Sequence, residues 1–102
     1  MSKAKGSAAE RKVRNEYVDS GWCVVKAAGS LGPADLVALR AGHRPRLIQV
    51  KGNRDGGPFH DFGPAERKAL VDVAMRAGAQ ALLEYRPPYG VAQQWRATDW
   101  PR

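Results

Sequence analysis

Cysteine is nearly absent from the chain, with Cys23 the only one among 102 residues. That excludes an intrachain disulfide and any cysteine-rich zinc site. Histidine is scarce too: there are two, His43 and His60. His43 falls in a turn and His60 stands beside Asp61, and one His/Asp pair is too little for a metal site. Long apolar runs are missing, and none approaches the roughly 20 residues that span a bilayer. Residues 1–14 are polar and basic without an apolar stretch, which argues against a secretory signal. A cytoplasmic protein with no membrane partner is the expectation. Acidic residues are also few. Ten Asp plus Glu face seventeen Lys plus Arg, for a net charge of +7. Such a field attracts polyanions, nucleic acid foremost.

The apolar fraction of 43% is enough to bury a core, and this length suits one sheet with helices packed on it. Residues 1–6 read as a basic flexible tail and residues 7–102 as one domain. Ser7-Ala8-Ala9-Glu10 has the capping-box spacing and predicts a helix start. Ala9, Val13 and Tyr17 form its apolar stripe, and Gly21 ends it. Trp22 to Ala27 predicts a strand, and Cys23 on it a small core residue. Asp35 to Arg40 and Arg46 to Lys51 predict an antiparallel hairpin turning through Ala41 to Pro45. A polar, glycine-rich loop covers residues 52–63. Pro64 opens a second helix, with Ala65, Ala69, Leu70, Val73 and Ala77 as its apolar face and Gly78 as its end. Gln80 to Tyr85 and Gln93 to Thr98 complete the strands. The order is α-β-β-β-α-β-β, an α/β sandwich with a mixed sheet and flanking helices. No repeat is visible.

The informative stretch runs from Lys26 to Lys51. Gln49 and Lys51 are two apart on one strand, so they share a face. A turn centred near Gly42 and His43 sets Asp35 opposite Lys51, with Gln49 on the diagonal. A slip of one residue would break that convergence. An acid, an amide oxygen and an ammonium on one patch suit phosphodiester hydrolysis. A hard cation such as Mg²⁺, with Mn²⁺ as substitute, takes oxygen ligands. Asp35, the Gln49 side-chain carbonyl and the Val50 backbone carbonyl offer them. Lys51 either holds the attacking water or stabilises the pentacovalent state. Glu10 either completes the ligand set or receives the water's proton. Taken singly, each has a plainer reading: Glu10 as the capping partner of Ser7, Asp35 as a turn residue, Lys51 as a solvated strand end.

Pro33-Ala34-Asp35 followed by Gln49-Val50-Lys51 resembles the P-D…(D/E)-X-K signature of restriction-endonuclease-like nucleases. Lys5-Gly6-Ser7-Ala8-Ala9-Glu10-Arg11 resembles the opening of archaeal-type Holliday junction resolvases. Val24-Val25-Lys26-Ala27-Ala28-Gly29-Ser30 resembles their next block. The likeness covers roughly residues 5 to 98 and is carried by three blocks together. It implies a restriction-endonuclease-like core and a Mg²⁺-dependent homodimer that binds four-way DNA junctions and makes paired nicks. It implies no small-molecule substrate. By position, the active-site set would be Glu10, Asp35, Gln49 and Lys51. Arg11 and Ser30 would contact backbone phosphate or assist the chemistry, and Lys26 stands where the family usually has Arg.

Gln49 departs from that pattern, which has an acid there. A neutral amide binds a divalent cation more weakly than a carboxylate. Either Glu10 and Asp35 carry the anionic load at a higher metal requirement, or the chain only binds branched DNA. A restriction or repair nuclease acting on duplex DNA is a third reading. Further phosphate contacts are expected from Lys3, Lys5, Lys12, Arg14 and Gly29, and from Arg54 in the loop after Lys51. Phe59 and Phe62 are expected either to anchor that loop to the core or to pack across a dimer, and Trp95 and Trp100 are further dimer candidates.

Overall fold

The computed structural model describes residues 2–101, and the side chains of residues 8–101. The elements are α1 (Ser2–Asp19), β1 (Cys23–Lys26), β2 (Leu36–Leu39), β3 (Arg46–Lys51), α2 (Pro64–Ala77), β4 (Gln80–Tyr85) and β5 (Gln93–Arg96), then a 3-10 turn, Ala97–Asp99. The expected order is therefore observed. One five-stranded sheet has its strands in chain order. It is antiparallel except for β3 and β4, which run parallel because α2 forms the crossover between them. No helix among the described residues is long and apolar enough to cross a membrane.

Strand alternation divides the core into two layers. Leu36, Ala38, Ile48 and Val50 point to one face and meet the predicted α1 stripe of Ala9, Val13 and Tyr17. Leu47, Ala81 and Leu83 point to the other face and meet Leu70 and Ala74 of α2, with Phe62 and Trp100. Two arginines of the β2–β3 connection tie the layers together. Arg40 donates to Ser20 O at 2.9 Å just past the end of α1, and Arg44 donates to Ala79 O at 3.0 Å just past α2. Cations at helix C-termini satisfy orphan carbonyls and oppose the negative end of the dipole.

Several expectations need correction. Helix α1 begins at Ser2, so Ser7 lies inside it and is not its cap. The α2 stripe is rotated: Leu70 and Ala74 are buried, while Ala65 and Ala77 are exposed. Cys23 is exposed, because α2 does not reach over β1 on that face. Phe62 is fully buried and Trp100 is 8% exposed; their rings meet edge to face at 5.1 Å. Both serve the core and are unavailable to a dimer interface. The last strand stops at Arg96, where the chain tightens into the 3-10 turn.

The α1 layer also holds a charge. Glu84 is 0% exposed. Its carboxylate accepts from Tyr17 Oη at 2.6 Å, Gln94 Nε2 at 2.7 Å and Arg86 Nη2 at 3.0 Å. Arg86 also pairs with Glu16 of α1 at 2.8 Å. Burial, with Glu84 alongside, pushes the Tyr17 phenol well above its ordinary range, so it stays protonated, donating to Glu84 and accepting from Arg46 Nη1 at 3.2 Å. A buried acid is tolerable only when fully bonded and paired. Arg86→Ala removes the counter-charge and is expected to cost about 3–5 kcal/mol, read as a lower midpoint in urea denaturation. A loss under about 1 kcal/mol would show that the pair is dispensable.

Candidate functional site

Asp35 immediately precedes β2, where Pro33 and the buried Ala34 bring the chain back to the sheet. The observed hairpin pairs Leu36 with Ile48, and Asp35, one residue before it, bonds to Ile48 and Val50, the two chain neighbours of Gln49. This corrects the expected pairing of Asp35 with Lys51. The shift is two residues, so the alternation of faces is preserved and the convergence survives. Asp35 N–H donates to Ile48 O at 2.8 Å, and Val50 N–H donates to Asp35 Oδ2 at 2.8 Å. Both bonds go to β3, so the carboxylate position is set by the strand that carries Gln49 and Lys51.

The electrostatics of Asp35 show what surrounds it. Burial raises its pKa from 3.8 to about 6; the bond from Val50 opposes this, Glu10 adds to it, and Lys51 and Lys26 oppose it. Glu10, Lys51 and Lys26 therefore all lie within charge range of Asp35. Glu10 projects from α1 and meets Lys26 Nζ of β1 at 3.7 Å. Helix and sheet thus deliver an acid, a second acid and two ammonium groups to one corner.

Gln49 is 6% exposed, and its Oε1 has no hydrogen-bond partner among the described residues. Leaving a buried carbonyl oxygen unbonded costs roughly 1–3 kcal/mol. A cation or a water held by one would remove that cost. Among the described residues no three His, Cys, Asp or Glu side chains come together as a metal cluster. An oxygen set here must draw on Asp35, Glu10, the Gln49 amide and the Val50 carbonyl, which suits a hard cation. The residues fit such an ion.

The expected phosphate contacts divide. An open groove of about 370 Å³ between α1 and the β1–β2 edge is lined by Glu10, Arg11, Arg14, Val24, Lys26 and Leu36. Arg11, Arg14 and Lys26 therefore flank the site together. Lys12 lines a separate hollow with Ala8, Ala9, Gly52, Arg86, Pro87 and Pro88. The side chains of Lys3 and Lys5 lie outside the described residues. Gly29, at φ +84°, and Ser30 lie in the exposed β1–β2 connection. The Ser30 amide is already spent on Ala27 O at 3.0 Å, which leaves its hydroxyl for a phosphate. Arg54 lies over the Tyr89 ring.

The loop after Lys51 is braced. Asn53 Nδ2 bridges Asp55 O and Gly57 O at 2.8 and 2.9 Å, and Tyr85 Oη donates to Asn53 O at 2.9 Å. Gly56 takes φ +91°, and a side chain there would run into His60. Sequence reasoning missed Glu84, Arg86 and Gln94. The available signal was an acid interrupting the apolar run Ala81-Leu82-Leu83-Glu84-Tyr85, with Arg two positions later.

The Asp35 shift carries a sign. Its folded pKa lies above the unfolded value, so its contribution to stability is full below about 3.8 and is lost as pH rises through about 6. Asp35→Asn imitates the protonated form. In EDTA at pH 8 it is expected to stabilise the protein by about 1–3 kcal/mol, a gain of several degrees in melting temperature. At pH 3.5 the gain should vanish. A variant that melts no higher at pH 8 would contradict a desolvated Asp35.

The family model described as "Archaeal holliday junction resolvase (hjc)" matches residues 1–99. A solved structure, that of the Holliday junction resolvase Hjc from the archaeal hyperthermophile Archaeoglobus fulgidus, is similar in fold. The TM-score is 0.74 at 23% identity, over 92% of this chain and 74% of that one. No curated protein matches by sequence.

Proposed function

Because this chain belongs to the archaeal Holliday junction resolvase family, we propose that Asp35, Gln49, Val50 and Glu10 hold its metal and that Lys51 acts on the scissile phosphate. The chain is a structure-selective, metal-dependent endonuclease that cuts four-way junctions, with a restriction-endonuclease-like core. The duplex-cutting alternative is set aside with that assignment. The observation that carries the site reading is the buried Gln49 Oε1, which has no partner among the described residues and belongs to the residue next to Val50, whose amide donates to Asp35. The all-oxygen donor set favours Mg²⁺, with Mn²⁺ in its place. When bound, the metal offsets charge on the phosphoryl oxygens and makes a coordinated water more acidic.

Each residue then has a task set by its place. Asp35 supplies the anchoring carboxylate, ionised once a cation offsets its desolvation. Gln49 adds a neutral oxygen, which orients without adding charge. Glu10 sits on α1 across the corner, within reach of Lys26. With Lys26 engaged by a phosphate, the Glu10 carboxylate would be free to hold the cation or to take a proton from the attacking water. Lys51, on the same strand face as Gln49, offers an ammonium to the charge that grows on the phosphate. Arg11, Arg14, Lys26, the Ser30 hydroxyl and Arg54 grip the flanking backbone. A homodimer would present two such sites to a two-fold junction and account for paired nicks.

The test is cleavage of a labelled four-way junction with Mg²⁺ or Mn²⁺. Wild type is expected to make metal-dependent nicks. Asp35→Ala and Lys51→Ala should each lose 10²-fold or more, on the order of one missing charge-stabilising group. Junction binding without cutting under either metal would instead support a non-catalytic branched-DNA binder. Gln49→Glu restores the missing anion and is expected to lower the Mg²⁺ concentration for half-maximal cleavage. An unchanged or raised requirement in that titration counts against Gln49 as a ligand.

A further inference from the structure

Tyr89 and Val91 are each 78% exposed, the most exposed of the large apolar side chains described. Both lie on the connection between β4 and β5, at the end of the sheet where β3 finishes in Lys51. This connection is held at its root. The Arg86 amide donates to Lys51 O at 2.8 Å, and Arg86 Nη1 donates to Tyr85 O and Gln93 O at 3.1 and 3.0 Å. Pro87 and Pro88 fix φ on the limb that rises from there, and Gly90 turns at φ +117°. Tyr89 is three residues beyond Arg86, at most about 10 Å of chain. A second loop leaves Lys51 itself, and three residues along it Arg54 sets its guanidinium over the Tyr89 ring, 5.6 Å from the centroid. Two loops that start at the paired residues Lys51 and Tyr85 thus meet, one bringing a cation and the other an aromatic face.

An exposed ring on a stiff support with a guanidinium beside it can stack a base and hold the next phosphate without reading sequence. A four-way junction offers bases at its branch point that are easier to unstack than those inside a duplex. We propose that Tyr89 stacks on a base at the branch point, with Arg54 on the adjoining phosphate. This contact supplies part of the preference for junctions over duplex. It rests on the reading above only in locating the branch point beside Lys51. Continuity with that site and the chain's positive charge favour DNA over a protein as the occupant.

The experiment needs no catalysis. A four-way junction carrying 2-aminopurine beside the branch point, and a duplex carrying it internally, are titrated in EDTA with wild type, Tyr89→Ala and Tyr89→Trp. Wild type and Tyr89→Trp are expected to change the emission of the junction and not of the duplex. Tyr89→Ala should abolish that change and weaken junction binding about tenfold, with duplex binding, melting temperature and sedimentation unaltered. A Tyr89→Ala protein that keeps the signal and the affinity overturns the proposal. So does one whose oligomeric state changes, since Tyr89 would then pack between copies. Failure of the proposed catalytic set would appear separately, as an Asp35→Ala protein that still cuts.

Discussion

A fully buried carboxylate, that of Glu84, is the interaction on which the site depends. Burying an unpaired charge would be ruinous, so Tyr17, Gln94 and Arg86 must all be in place around it. These three come from α1, β5 and the end of β4. Satisfying one acid therefore fixes a helix and an edge strand against the sheet at once. Arg86 extends the constraint, since its side chain reaches Glu16 while its amide holds the carbonyl of Lys51. The helix that carries Glu10 and the strand that ends in Lys51 are thus referred to one common point.

Around that frame the proposed catalytic corner is built against its own stability. Asp35 is buried far enough to be pushed toward the neutral form, and Gln49 keeps a carbonyl oxygen without a partner among the described residues. A core optimised for folding alone would have neither. Both costs would fall away on entry of the proposed cation, which is how a binding site would be stored in a fold more stable without it. Gln49 in the place of an acid reduces the like-charge repulsion that Asp35 and Glu10 already feel, at the expense of attraction for the ion.

Much of this was legible in the sequence, for reasons that differ by element. Strands β3 and β4 have apolar runs, each broken by one polar residue (Gln49 and Glu84), and turn residues at both ends, and their observed limits are those expected. The α1 stripe of Ala9, Val13 and Tyr17 was readable because three apolar residues at one helical spacing have no competing arrangement. The α2 face was not, because alanines lie on every side of that helix and only packing chooses among them. The hairpin register was misjudged by two residues, since turn length is set by φ-positive Gly42 and by Arg40 and Arg44 reaching the helix ends, contacts that no local pattern announces. Even spacing of the error left Asp35, Gln49 and Lys51 together. The Glu84 cluster joins residues 67 and 70 positions apart, beyond any local signal.

The central claim is that one divalent cation site lies between β2 and β3. The measurement that reaches it most directly is anomalous scattering from crystals soaked in Mn²⁺. The account predicts a peak whose nearest protein atoms are the Asp35 carboxylate, Gln49 Oε1 and the Val50 carbonyl oxygen. A peak at His60 and Asp61, or well-ordered Asp35 and Gln49 with no peak beside them at saturating Mn²⁺, would contradict it.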